Sequence, residues 1–138
     1  MATFQELLAK QQQEGKQRKR ATYDEHRLQC SEVSYIRSAH PSLARVFFAV
    51  PNGGKRTSAQ TSWMHAEGMV NGVSDMLLLR PNSLHGYLCI ENKTPKGKQR
   101  GDQILFQQAV EQNGGLYVIV RSLDQFIQVI NQYLNGEI

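Results

Sequence analysis

Three residues in the middle of the chain have side chains suited to metal-assisted chemistry. Asp75 lies within an apolar segment, 73–79, that is predicted to be a strand. A carboxylate there is costly unless it is paired or binds a cation. Glu91 and Lys93 stand two residues apart on the next predicted strand, so their side chains share one face. If the two strands pair so that Asp75 lies beside Glu91, two carboxylates and an ammonium converge at the edge of a sheet.

Paired carboxylates are ligands for Mg²⁺ or Mn²⁺, which prefer oxygen donors to thiols and imidazoles. A metal ion held in this way activates water and neutralises charge on a phosphate under attack. A neighbouring lysine orients the water or stabilises the developing charge. The pattern therefore indicates phosphodiester hydrolysis. The residues alone leave a structural alternative open, with Glu91 and Lys93 as an ion pair and Asp75 as a turn or cap residue.

Two short basic segments flank this acidic centre. Glycines allow a phosphate to approach backbone N–H groups, while Lys and Arg side chains supply positive charge. We expect both segments to bind nucleic-acid phosphates. Their predicted DNA-binding residues are Asn52, Gly53, Gly54, Lys55 and Arg56 in the first segment, and Lys96, Lys98 and Arg100 in the second.

The distribution of charge also favours a polyanionic partner. The chain has 138 residues, with 16 Lys and Arg against 12 Asp and Glu, a net charge of +4. Residues 1–103 contain 15 of the basic and 9 of the acidic residues. Basic residues that cluster away from one end of a chain are typical of nucleic-acid binding, although ordinary surface lysines give a similar balance.

Length and composition exclude several other classes of protein. A chain of 138 residues with 40% hydrophobic residues suits one folded domain. Its apolar runs are far shorter than the roughly 20 residues that a membrane helix needs. Two cysteines are too few for a disulfide framework or a zinc cage, and the N-terminus lacks a secretion pattern. We expect a cytoplasmic protein with no membrane partner and no small-molecule cofactor.

Eight elements are expected to position the candidate residues in one mixed α/β sheet flanked by helices, in the order α-β-α-β-β-α-β-α. The short interval 80–86 predicts a hairpin, and the apolar run 116–120 predicts a buried parallel strand. The predicted elements are a helix from the N-cap Thr22 to Pro41, a strand at 45–50, a helix near 58–67, strands at 73–79 and 87–92, a helix near 101–112, a strand at 116–120 and a helix after Ser122. In the third helix Ile104, Leu105, Phe106 and Val110 are expected to face the core. Residues 1–20 are predicted to be a basic, Gln-rich arm, flexible or weakly helical.

Five blocks of sequence occur in order at 25–29, 50–56, 67–75, 90–97 and 102–103. Together they resemble the virus-type replication-repair nuclease (VRR-NUC) domain, a branch of the PD-(D/E)xK nuclease superfamily. The resemblance extends over about residues 22–135 and implies that 21–138 is a nuclease domain with a restriction-endonuclease-like fold. This chain departs from the usual pattern at Ser74, where proline is common, and at Asn92, where an apolar or small residue is common.

The resemblance implies a divalent-metal-dependent DNA endonuclease that uses Mg²⁺ or Mn²⁺. Asp75 and Glu91 would be metal ligands, with the main-chain carbonyl of Asn92 as a third. Lys93 would be the catalytic lysine. The site would be completed by an acidic residue of the first helix, Glu25, and by a glutamine after the strand, Gln103.

Stand-alone viral members of this family resemble junction resolvases, and symmetrical cutting of a four-way junction requires two active sites. The leading hypothesis is therefore a homodimer of viral or prophage type that resolves Holliday junctions or related branched DNA in the host cytoplasm. One alternative is a monomeric flap or restriction-like nuclease. Another is a non-catalytic nucleic-acid-binding protein with the same fold.

Overall fold

A four-stranded mixed sheet lies between two layers of helices in the computed structural model, which describes residues 1–51 and 55–138. A short 3₁₀ turn at Pro41–Leu43 follows the first helix. The observed order confirms the predicted α/β class and single domain. The elements are α1 (Phe4–Ala39), β1 (Phe47–Ala49), α2 (Ser58–Ala66), β2 (Met76–Leu78), β3 (Tyr87–Asn92), α3 (Gly101–Gln112), β4 (Gly115–Val120) and α4 (Leu123–Leu134).

The strands lie in the order β1-β2-β3-β4. β2 pairs with both β1 and β3 in antiparallel orientation, whereas β3 pairs with β4 in parallel. The predicted hairpin and the predicted parallel strand are both confirmed. β3 has neighbours on both sides, and all of its residues except Tyr87 are buried. The end of β3 is therefore held by pairing on both sides and can position functional side chains.

Each face of the sheet has its own apolar core. Leu88 and Ile90 of β3 pack in the cluster that contains Ile36 of α1 and Phe126 of α4. Cys89, between them on the strand, faces the other way and packs with residues of α3 and β4. Full burial of one such aliphatic side chain stabilises the fold by about 1.5–3 kcal/mol. The alternation sends Glu91 to the α3 face and Asn92 to the α1 face.

The first helix begins much earlier than predicted. Thr3 caps it, because its side chain accepts from the Glu6 N–H at 3.3 Å while the Glu6 carboxylate accepts from the Thr3 N–H at 2.7 Å. Thr22, the predicted N-cap, lies inside the helix, where its hydroxyl donates to the Arg18 carbonyl at 3.0 Å. Gln, Lys, Glu and Arg have high helix propensity, which explains helix formation without an apolar stripe.

Residues 1–20 are all exposed, and the part of the helix from Phe4 to Arg20 spans about 25 Å at the usual rise per residue. The domain boundary after residue 20 stays a prediction. Despite the length of α1, no helix within 1–51 and 55–138 has the apolar segment that crossing a bilayer requires.

The inward face of α3 also differs from the prediction. Val110 is buried and Phe106 is half-buried, but Ile104 and Leu105 are 42% and 68% exposed. The reason is that Gln103 lies on the same helix face as Phe106 and Val110, which follow it by three and seven residues. Its side chain turns toward the sheet and is buried. A polar side chain thus determines the orientation of this helix, and two apolar side chains face outward.

The first two strands, β1 and β2, are shorter than predicted. β1 spans only Phe47–Ala49, and of its residues Phe47 alone is buried. β2 spans Met76–Leu78, so Asp75 lies just before the strand rather than inside it. Its carbonyl still accepts from the Val50 N–H at 2.8 Å, which continues the pairing of the two strands by one step.

A glycine fixes the turn before β2 against the start of α3. Gly72 has φ +81°, a conformation that residues with a side chain rarely adopt. A Cβ at this position would lie 2.4 Å from the Asp102 carbonyl carbon and oxygen and 2.8 Å from the Gln103 nitrogen. The backbone of the turn and the first turn of α3 therefore touch, and this contact places Gln103.

The substitution Gly72→Ala tests this contact, with Gly114→Ala as its matched control. Gly114 has φ +80°, but a Cβ there would meet nothing within 4 Å. We expect Gly114→Ala to lower the free energy of unfolding by about 1–2 kcal/mol through backbone strain alone. Gly72→Ala should lose about 1–3 kcal/mol more through the clash. Equal losses in urea unfolding would contradict the close approach.

Candidate active site

The register of the β2–β3 hairpin places two carboxylates opposite each other. Met76 pairs with Ile90, so one step further along the antiparallel pair Asp75 lies opposite Glu91. The backbone N–H of Asn92 donates to Asp75 Oδ2 at 2.7 Å, which holds this carboxylate against the end of β3.

Glu91 is only 2% exposed, and its two oxygens differ in their surroundings. Oε1 accepts from the Gln103 amide at 2.8 Å and lies 3.4 Å from the Lys93 ammonium. Oε2 is buried and has no hydrogen-bond donor among the described residues. An anionic oxygen buried without a donor is unfavourable, and a bound cation would relieve that cost.

The electrostatics of the pair also favour a cation. Burial is the main cause that raises the pKa of Glu91 to about 7. The charge of the Asp75 carboxylate raises this pKa further, whereas the charge of Lys93 lowers it. Burial likewise raises the pKa of Asp75, against the hydrogen bond from the Asn92 N–H and the charge of Lys93. Both groups resist ionisation together, so a divalent cation between them would stabilise the doubly ionised form.

Glu25 approaches this centre from α1. It is half-buried and, with Leu28, Lys93 and Thr94 among its neighbours, lines a small recess of about 60 Å³. Burial raises the pKa of Glu25, Lys93 opposes that rise, and the charge of Asp75 adds to it. A third carboxylate therefore lies within electrostatic reach of the pair, on the side of Lys93.

The donor atoms present fit a small oxygen-seeking ion. The N–H and C=O of one strand residue point to the same side, so the Asn92 carbonyl is directed toward Asp75 as its N–H is. Asp75, Glu91 and this carbonyl would hold Mg²⁺ or Mn²⁺, with water at the remaining positions. In residues 1–51 and 55–138, no three His, Cys, Asp or Glu side chains form a metal cluster by themselves. The backbone carbonyl would supply a third protein oxygen.

The basic loop that follows β3 is held by hydrogen bonds from Arg121, the residue directly after β4. Arg121 Nη1 donates to the Thr94 and Gly97 carbonyls, each at 2.7 Å. The loop is therefore held in place next to Lys93, and the side chains of Lys96 and Lys98 are exposed on it. This geometry keeps two exposed cations on the loop that directly follows Lys93.

The other predicted phosphate-binding residues that the structure describes, Arg100, Arg56 and Lys55, differ in their surroundings. Arg100 forms an ion pair with Asp102 at 3.3 Å on the surface, and its charge also acts on Asp75 and Glu25. Arg56 donates to the sulfur of Met69 at 3.1 Å, and Lys55 is exposed. Asn52, Gly53 and Gly54 lie outside the described residues.

One buried carboxylate close to the centre was missed by sequence reasoning. Glu32 of α1 is fully buried under the Asn92 side chain, on the face of the sheet away from Glu91. Burial raises the pKa of Glu32 to about 8, which the Asn92 amide opposes and the charge of Asp75 increases. Neither side chain has a partner in good hydrogen-bonding geometry among the described residues. The available signal was its position in the apolar stripe, four residues after Leu28 and four before Ile36.

A tyrosine on β4 was missed as well. Tyr117 lies on the α3 face, and its buried hydroxyl has no partner in good hydrogen-bonding geometry within the described chain. Burial raises the pKa of Tyr117 to about 12, with Gln99 opposing and the charges of Glu91 and Asp75 adding. The Tyr117 hydroxyl therefore lies within electrostatic reach of Glu91 and Asp75 on the α3 face of the sheet.

Comparison with solved structures identifies a protein of the same fold. The chain superposes on a "VRR_NUC domain protein" with a TM-score of 0.70, covering 80% of this chain and 88% of that chain. The two sequences are 17% identical, so the similarity establishes the fold alone. No protein-family model matches the chain, and no curated protein does. The shared fold agrees with the restriction-endonuclease-like architecture that the five sequence blocks implied.

The substitution Glu32→Gln should change how stability depends on pH. Because the pKa of Glu32 is raised from 4.5 to about 8 on folding, the native state binds the proton more tightly than the unfolded state. This contribution favours folding below about pH 4.5 and is lost as the pH rises to about 8. Glutamine stays neutral, so wild type should lose about 3 kcal/mol relative to Glu32→Gln between pH 5.5 and 8.5.

Urea unfolding at both pH values measures this difference. Glu14→Gln, an exposed carboxylate on the same helix, is the matched control and should follow wild type at both pH values. Parallel pH profiles for wild type and Glu32→Gln would contradict the burial of an ionisable Glu32.

Proposed function

We propose that this chain is a DNA endonuclease that depends on Mg²⁺ or Mn²⁺ and hydrolyses phosphodiester bonds. The observation that carries the proposal is the opposition of Asp75 and Glu91 at the end of a buried hairpin, with Lys93 beside them. A fold shared with a VRR_NUC domain protein supports the same reaction class.

Each residue of the site would have its own role in hydrolysis. The bound metal supplies Lewis acidity toward the phosphate and lowers the pKa of coordinated water. Gln103 occupies Glu91 Oε1 and leaves Oε2 for the cation. The Lys93 ammonium would orient the attacking water or offset charge on the phosphate, and Glu25, which lines the same recess, would help to position it.

The surface around the site is suited to a DNA backbone. A groove of about 530 Å³ lies between α1 and the loop after β3, and its two cations are Arg20 and Lys96. Lys98 extends the same loop. Phosphates held along this groove would pass directly beside Lys93, because Thr94 and Pro95 line both the groove and the recess next to Glu25.

Cleavage assays with Mn²⁺ or Mg²⁺ test the proposed reaction. Asp75→Ala and Lys93→Ala should each reduce the cleavage rate by at least about 100-fold while DNA binding persists, because each removes a group that acts on the transition state. Asp124→Asn, on the exposed first turn of α4, is the control and should cut like wild type. The reading as an enzyme fails if wild type and Asp75→Ala bind DNA equally and neither cuts junctions, flaps or linear duplex.

The outward face of α3 supports the further proposal of a homodimer that cuts branched DNA. Leu105 lies in a surface groove of about 370 Å³ together with Val70, Phe106 and Asp102, and Ile104 is exposed beside it. Exposed apolar side chains grouped in this way are typical of interaction surfaces. Since Asp102 adjoins Gln103, a second copy seated here would bring two active sites onto one DNA molecule.

The substitution Leu105→Glu tests the dimer. Wild type should sediment as a dimer and make paired nicks on opposed strands of a four-way junction, whereas Leu105→Glu should sediment as a monomer and lose the pairing. Leu84→Glu, at an equally exposed leucine between β2 and β3, is the matched control. A monomeric wild type that nicks single strands without branch preference would contradict the resolvase and favour the monomeric nuclease.

A further inference from the structure

The single tryptophan of the chain is exposed to solvent on α2. Trp63 has 72% of its surface accessible, although an indole ring usually buries most of its area. It borders a groove of about 630 Å³. The residues that line the groove are Lys55, Arg56, Ala59, Gln60, Trp63 and Met64.

The groove is built on a well-defined helix start. Thr57 caps α2, because its hydroxyl accepts from the Gln60 N–H at 3.1 Å and its own N–H donates to the Gln60 amide oxygen at 2.9 Å. Gln60 and Trp63 lie three residues apart, so they stand on one face of the helix. Lys55 and Arg56 precede the cap and place two cations at the same end. A flat ring and positive charge thus lie on one surface.

We propose that this groove binds an unpaired nucleobase of a DNA strand, stacked on the Trp63 ring, with the adjoining phosphate at Lys55 and Arg56. Every base has a π-face that stacks on an aromatic side chain, and Lys or Arg beside the ring neutralises the backbone. The inference rests on the proposed nuclease function and adds the feature of the substrate that this face recognises.

Charge argues against a second copy of this chain as the occupant. None of the six lining residues is acidic. A twofold interface centred on Trp63 would bring Lys55 and Arg56 toward the same two cations of the partner, which is unfavourable. A nucleotide supplies both the ring and the negative charge that the groove complements.

A short segment joins the groove to the active site. Arg56 donates to the Met69 sulfur at 3.1 Å, and three residues later Gly72 packs against Asp102 and Gln103. Gln103 in turn contacts Glu91. A base held on Trp63 would thus be linked to the carboxylates through these contacts, and the proposal ties cleavage to DNA with unpaired nucleotides.

Because Trp63 is the only tryptophan, its fluorescence reports the contact directly. Full-length protein in EDTA is titrated with a single-stranded deoxyoligonucleotide and with an abasic oligonucleotide of the same length and charge. We expect saturable quenching by the first, and by the second no quenching and roughly tenfold weaker binding. Equal quenching by both would overturn base stacking. A spectral change on raising the protein concentration without DNA would overturn it in favour of a second copy.

Variants separate this inference from the proposed reaction. By anisotropy of a labelled strand, Trp63→Ala should bind roughly tenfold more weakly, Trp63→Phe should retain most of the affinity, and Leu84→Ala should match wild type. Unchanged binding by Trp63→Ala, with metal-dependent cleavage intact, would contradict base binding in the groove but not the proposed nuclease activity. Quenching that persists in a protein that cuts no DNA overturns the nuclease and leaves the base-binding groove standing.

Discussion

The pairing of β2 with β3 is the constraint on which the site depends. Met76 opposite Ile90 makes Asp75 face Glu91, and a shift of one residue would turn Glu91 to the other face of the sheet. The bond of 2.7 Å from the Asn92 N–H to Asp75 Oδ2 fixes the last step of this register. Gln103 can bind Glu91 because α3 returns across the same face, held there by the close contact at Gly72.

That register gathers carboxyl groups where the fold offers little to neutralise them when they ionise. Lys93 is 3.4 Å from one oxygen of Glu91, and the other oxygen is buried without a donor. Glu32 adds a fourth buried or half-buried carboxylate behind the strand, beyond Asp75, Glu91 and Glu25. Natural sequences retain such unfavourable groups chiefly where function requires them. The proposed divalent cation would give this arrangement a physical reason, and the surrounding lysines and arginines would suit the proposed polyanionic substrate.

Much of the fold could be predicted from local signals, and the exceptions have identifiable causes. The bounds of β3, α3 and α4 follow from apolar runs and caps such as Ser122, and the hairpin places Asp75 near Glu91. The early start of α1 depends on propensity and on the cap at Thr3, with no apolar stripe to reveal it. Leu105 faces outward because Gln103 takes the inward position, a tertiary preference that hydrophobicity alone does not encode. Glu32 belongs to no motif, and only packing shows its burial.

The most direct test of the central claim is a crystal of the protein soaked in Mn²⁺, with anomalous scattering recorded at the manganese edge. We expect an anomalous peak between Asp75 and Glu91, within coordination distance of both carboxylates and of the Asn92 carbonyl. We also expect Glu91 Oε2, which is buried without a donor, to become a ligand. An absence of anomalous density there at saturating Mn²⁺, with Lys93 still bound to Glu91 as a simple ion pair, would contradict it.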